Sequence, residues 1–157
     1  MEINVLIDKG LEQHIDESWL RSIAEKVIVT QNTGHRVELG LVITGQEKIQ
    51  QLNLNYLGKD EPTDVLAFSA LEESGGNSSA FVMPPDGVLH IGEVIISYPQ
   101  AVIQSEEHQH SIKREVAILI IHGILHLLGY EHDKPELESL MSSREREILS
   151  NIENDSL

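Results

Sequence analysis

The 157-residue chain contains no cysteine, so neither a disulfide framework nor a thiolate metal site is open to it. Any metal must be held by His, Asp, Glu or water, and the missing thiols fit a reducing compartment. Basic residues are scarce: 11 Lys and Arg against 26 Asp and Glu leave a formal charge of −15. That balance argues against a general affinity for nucleic acid and requires any RNA partner to be held locally. Long apolar runs are also missing. The most extended, "VAILIIHGILHLLGY", is too short to span a bilayer comfortably and is interrupted by two histidines and two glycines. The start, "MEINVLIDKG", lacks the basic segment, apolar run and cleavage site of a secretory signal. A soluble cytoplasmic protein with no membrane partner is therefore expected. With 40% hydrophobic residues, the chain can fill one core, and a single domain over 1–157 is expected.

Strand and helix patterns alternate along the chain. "INVLIDKG" begins as a strand, and "DESWLRSIAEKVIVTQ" spaces Trp19, Leu20, Ile23, Val27 and Ile28 as a helical stripe with Asp16 or Ser18 as N-cap. "HRVELGLVI" alternates through Val37, Leu39, Leu41 and Ile43 as a half-buried strand. Thr44 and Glu47 then read as a capping box opening a helix, with Ile49, Leu52 and Tyr56 inward and Gly58 at its end. "PTDVLAFSA" is a short strand expected to pair with "VLHIGEVIIS" across a surface loop running from Glu72 to Gly87.

"HSIKREVAILIIHGILHLLG" is apolar on nearly every side and should be the central buried helix, ended by Gly129. Asp133, Pro135 and Glu136 start a last helix whose inward face includes Leu137, Leu140, Met141 and Ile148. The sum is an α+β fold, a small mixed sheet packed by helices.

The central helix carries the chemistry. His122 and His126 are four apart, so both imidazoles project from one face, about one turn apart, and can reach one metal ion. Gly129 lets the chain turn back so that His132 supplies a third ligand, leaving an open position as in catalytic zinc sites. One zinc per chain is the expectation, with nickel, cobalt and copper also compatible. The spacing matches the zincin-like H-E-x-x-H-x-x-G-x-x-H of metzincin proteases, but Gly123 stands where their glutamate base would be, which disfavours peptidase chemistry.

"HGILHLLGYEHD" resembles the H-G-x-L-H-L-x-G-Y-D-H signature of the YbeY family of bacterial endoribonucleases. "LNLNYLGKDEPTDVLAFSA" resembles the family segment L-N-x-x-Y-R-x-K-D-x-P-T-D-V-L-S-F-P, and "IGEVIIS" resembles L-G-D-I-x-I-S. The resemblance implies an α+β fold around one zinc on His122, His126 and His132. It also implies single-strand-specific endoribonuclease activity in 16S rRNA 3′-end maturation and ribosome quality control, with rRNA and the small ribosomal subunit as partners. Against that pattern the family's arginine falls at Leu57, Ala67 and Ser69 replace a serine and a proline, and Glu93 and Glu131 replace aspartates.

For catalysis, a bound metal is expected to acidify water and polarise a phosphoryl oxygen. Glu131 and Lys59 are the candidate catalytic groups, with Glu115 also on a similar helix face. Lys59, Thr63, Lys113 and Arg114 are the candidates for substrate binding, and Asp60 and Asp64 are expected beside them at the cleft. His35, His90, His108 and His110 receive no role beyond surface or packing. Two other readings stand: a zinc-stabilised ribosome-assembly factor with weak or no nuclease activity, and another zinc hydrolase.

Overall fold

The computed structural model describes residues 1–31, 33–34, 36–70, 87–130 and 134–156. Its elements run β1 (Glu2–Ile7), α1 (Glu17–Gln31), β2 (Arg36–Thr44), α2 (Gln46–Leu57), β3 (Val65–Ser69), β4 (Val88–Ser97), α3 (Tyr98–Glu107), α4 (Ile112–Leu127) and α5 (Pro135–Ser156). The four strands lie in the order β1-β2-β4-β3. The first three are mutually parallel and β3 runs antiparallel to β4, so the sheet is mixed, as the α+β reading requires. No helix among the described residues is long and apolar enough to cross a membrane.

Alternation decides which face of the sheet is buried. Val37, Leu39, Leu41 and Ile43 of β2 point into the main core, where they meet Leu20, Ile23 and Val27 of α1, much of α4, and Met141, Ile148 and Ile152 of α5. The opposite face carries a smaller cluster in which Ile49 of α2 covers Leu66 and Ile95. Strand β4 cannot keep simple alternation, because its core residues are Leu89 and Ile91 and then Val94 and Ile96. A bulge resolves the phase change: Glu38 pairs with His90 and Leu39 with Gly92, leaving Ile91 as the extra residue. Gly92 takes φ 123°, and a Cβ there would lie 2.1 Å from the Phe68 carbonyl oxygen, so glycine is required at the bulge.

Helix α4 is buried on almost every side, as its composition predicts, and ends in a Schellman motif. Gly129 N–H returns to His126 O at 3.1 Å and Tyr130 N–H to Leu125 O at 3.0 Å, with Gly129 left-handed at φ 102°. Its approach to the sheet is unusually close at Gly123, where a Cβ would sit 2.6 Å and 2.9 Å from the two methyls of Val94. Asp16 caps α1, its carboxylate accepting from Trp19 N–H at 3.0 Å, while Ser18 lies within the helix.

Several local expectations give way. The Thr44–Glu47 capping box does not form: Gly45 occupies the N-cap without a side-chain bond, and the buried Thr44 hydroxyl donates to Asp8 instead. Tyr56 and Leu140 face outward, being 68% and 58% exposed, while Asn53 takes the buried place on α2. Helix α3 lacks a clear apolar stripe. It is fixed by Ser97, whose hydroxyl accepts from Gln100 N–H at 3.3 Å, and by Pro99 in the first turn. Most of the Glu72–Gly87 loop, Asp133 and His35 lie outside the described residues.

The joint between α3 and α4 contains the one buried charged side chain among the described residues, Glu115. In the sequence it stands two turns before His122 on a similar helix face, with nothing local to mark its burial. In the fold its Oε1 takes His108 Nδ1 at 3.0 Å and His110 Nε2 at 2.6 Å, and its Oε2 accepts from Gln104 at 3.0 Å. Burial pushes the Glu115 carboxyl up, but the bonds from His108, His110 and Gln104 outweigh it and hold the group below its ordinary range. The bond to Glu115 holds His108 above the ordinary histidine value.

Gly123→Ala should lower stability by about 1–3 kcal/mol through overpacking against Val94, more than the roughly 1 kcal/mol of helix propensity that alanine gains. Urea unfolding checks this, and an unchanged or raised midpoint would show that α4 can part from β4 without cost.

Candidate metal centre and cleft

A cleft of about 410 Å³ opens between the C-terminal end of α2, the segment after it, strand β3 and helix α4. Gly58 turns the chain out of α2 with φ 74°, and Asn53 holds the following segment by donating to Glu61 O at 2.9 Å. Asp64 sets the start of β3, its carboxylate accepting from Val65 N–H at 2.7 Å and its carbonyl accepting from Ser97 N–H at 2.9 Å. These local bonds build the cleft wall.

His122 and His126 project together into that cleft. Their Nε2 atoms are 3.1 Å apart, with the rings edge to face at a centroid distance of 4.6 Å. Two nitrogen lone pairs at this separation repel unless a proton or a cation lies between them. Metal–nitrogen bonds of roughly 2.0–2.1 Å at the tetrahedral angle would place two ligating nitrogens about 3.3 Å apart, so the pair fits one ion.

Behind His122, Nδ1 lies 3.2 Å from Glu145 Oε1 on α5. A carboxylate there favours the Nδ1–H tautomer and turns the Nε2 lone pair toward the cleft, the usual outer support of a metal-binding histidine. Nothing in the local sequence marks Glu145, because the pairing spans two helices and 23 positions. His132 and Glu131 lie outside the described residues.

Leu57, Lys59, Thr63 and Asp64 line the same cleft as the two histidines. Leu57 is 55% exposed at its rim, where a longer cationic side chain could reach across the opening. Lys59 is the one Lys or Arg lining the cleft among the described residues. Asp60 instead accepts from Gln50 at 2.9 Å.

Lys113 and Arg114 are not brought to the cleft. Lys113 lies over the Trp19 ring at 5.6 Å, and Arg114 pairs with Glu153 at 2.7 Å. Gly123 does line the cleft, and any side chain in its place would first have to displace the Val94 methyls packed against it. A separate group, His108, His110 and Glu115, has its ligand atoms all within 4.8 Å of one another and could also hold a metal ion.

The family model described as Endoribonuclease YbeY matches residues 5–153. The protein named Endoribonuclease YbeY from Dehalococcoides mccartyi strain 195 is 47% identical over 155 residues, covering 97% of this chain and 90% of its own length. The proteins of that name from Roseiflexus sp. RS-1 and Chloroflexus aggregans are 40% and 36% identical, covering 87% and 94% of this chain and 83% and 94% of their own lengths. The solution structure of TM1509 from Thermotoga maritima superposes with a TM-score of 0.58 at 25% identity, covering 98% of this chain and 94% of that one. With nearly its whole length matched by the family model and by these relatives, the chain belongs to the YbeY endoribonuclease family.

Proposed function

We propose that the chain is a zinc-dependent endoribonuclease that cuts single-stranded RNA, acting on the small ribosomal subunit in 16S rRNA 3′-end maturation and ribosome quality control. Its place of action on this reading is the cytoplasm, and one domain over 1–157 does the work. The observation that supports it most is the facing pair of imidazole nitrogens of His122 and His126 in the cleft, backed by Glu145, in a chain of this family.

In this reading His122, His126 and His132 hold the ion, one at this site. When bound, the ion would supply positive charge to a phosphoryl oxygen and lower the pKa of water, two contributions that favour phosphodiester hydrolysis. The chain's own residues do the rest. Glu145 orients His122, and Lys59 at the cleft wall offers a point charge to the RNA backbone. Thr63 and Asp64 shape the wall against which a sugar or phosphate lies. Glu131, next in sequence to a ligand, and Lys59 are the groups we assign to proton transfer.

A cleft with one lysine among its described lining residues and a leucine at its rim also favours a second reading, an assembly factor that binds RNA and cleaves it weakly or not at all. Cleavage of single-stranded RNA by the zinc-loaded chain, lost in His126→Ala, is the expected result. Binding without cleavage gives the second reading, and neither binding nor cleavage points to another zinc hydrolase.

Leu57→Arg should raise cleavage roughly tenfold, the scale of one charge-assisted hydrogen bond to phosphate. Unchanged rates in that variant would mean that position 57 does not bear on the scissile phosphate. Glu145→Ala should weaken zinc binding about 10–100-fold, measured by competition with a chromogenic chelator. An unaltered affinity would remove Glu145 from the site.

A further inference from the structure

The turn from α3 into α4 is built in a way that ordinary helix capping does not need. His108 N–H returns to Gln104 O at 2.9 Å and His110 N–H to Ser105 O at 3.0 Å, which closes α3. Ser111 then caps α4 by accepting from Arg114 N–H at 3.1 Å. Both ends are thus satisfied by the backbone and one serine.

Between them Gln109 is held at φ 57°, the one non-glycine residue in the left-handed region among those described. That conformation is uncommon for a residue with a Cβ. Its consequence is that His108 and His110, two positions apart, turn their rings toward the same point, with centroids 5.5 Å apart.

At that point lies Glu115 Oε1, met by Nδ1 of His108 and Nε2 of His110. The carboxylate is 2% exposed, so its charge is desolvated and needs compensation inside the fold. Its second oxygen is already held by Gln104, which orients the carboxylate as an outer partner orients a metal ligand. The ring nitrogens that face the shared oxygen have lone pairs aimed inward once deprotonated. His108 is 57% exposed, so the outer side of the group is open to water.

We propose that His108, His110 and Glu115 form a second metal site, distinct from the cleft, which binds a divalent transition cation and clips the end of α3 to the first turn of α4. Two imidazoles and one carboxylate suit zinc, cobalt or nickel, whereas calcium and magnesium prefer all-oxygen surroundings. Binding replaces the protons on the two facing nitrogens, which leave to solvent as the metal–nitrogen bonds form.

Glu115 precedes His122 by two helical turns, roughly 10 Å along the axis, so the ion at the joint does not share ligands with the cleft. It would fix one end of the helix whose other end carries His122 and His126. The role is structural, and it makes the expected metal content two ions per chain, one at each end of α4.

The test is native mass spectrometry of the full chain, stripped with a chelator and reloaded with zinc, beside His108→Gln, His126→Ala and the double variant. His108 is exposed, so its replacement leaves the core intact, and far-UV circular dichroism verifies this. Two ions in the wild type, one in each single variant and none in the double variant is the expected result. Zinc should also raise the melting temperature of His126→Ala but not that of the double variant. An ion count and melting response that His108→Gln leaves at the wild-type values overturn the second site. If His108→Gln lowers the count by one and His126→Ala does not, the second site stands and the reading of the cleft falls.

Discussion

The close approach of α4 to β4 is the constraint on which the remaining structure depends. Gly123 and Val94 meet with no room for even a methyl group on the helix, so the axis of α4 is fixed against the sheet at the position between the two histidines. His122 and His126 flank that contact, one residue before it and three after. Their rings are therefore carried on a closely packed stretch of helix and still reach the cleft. The β4 bulge serves the same packing. Without the extra residue at Ile91, Leu89 and Ile91 could not share a face with Val94 and Ile96, and α4 would lose half its bed.

Charge is handled locally in this acidic chain. Arg114 is bound to Glu153, Arg144 to Glu147 and to the Thr30 carbonyl, and Lys48 lies 3.6 Å from Asp8. A cation held in such a pair has little field left for a phosphate. Lys59 faces the cleft with Glu61 and Asp64 near it, so recognition of a polyanion has to come from the cleft itself rather than from the surface at large. Leu57 at the rim sharpens this, since it stands where the family resemblance calls for a guanidinium.

Helix α4 gathers chemistry at both ends by different means. At the C-terminal end the convergence of His122 and His126 is written into the helix pitch, and the Schellman turn closes the helix just beyond them. At the N-terminal end the cluster is assembled from a turn and a helix, with Gln109 in the left-handed region and Glu115 desolvated. A charged side chain removed from water is costly unless paired, which explains why three polar partners converge on Glu115.

Helix pitch, strand alternation and the turn residues are local properties, and they are legible along the chain. From them come the buried helix over 112–127, the stop near Gly129, the alternation of β2, the β3–β4 pairing and the convergence of His122 with His126. The family follows from the same residues. Contacts between distant segments have no such periodicity.

Tertiary structure alone brought Glu145 to His122, sent Arg114 to Glu153, turned Thr44 from a cap to Asp8, and placed Tyr56 and Leu140 outward. It also made surface-looking His108 and His110 the partners of a buried carboxylate. The physical reason is common to all of these: each side chain's environment is set by which element packs against it, and that is decided by the whole fold rather than by its neighbours in the chain.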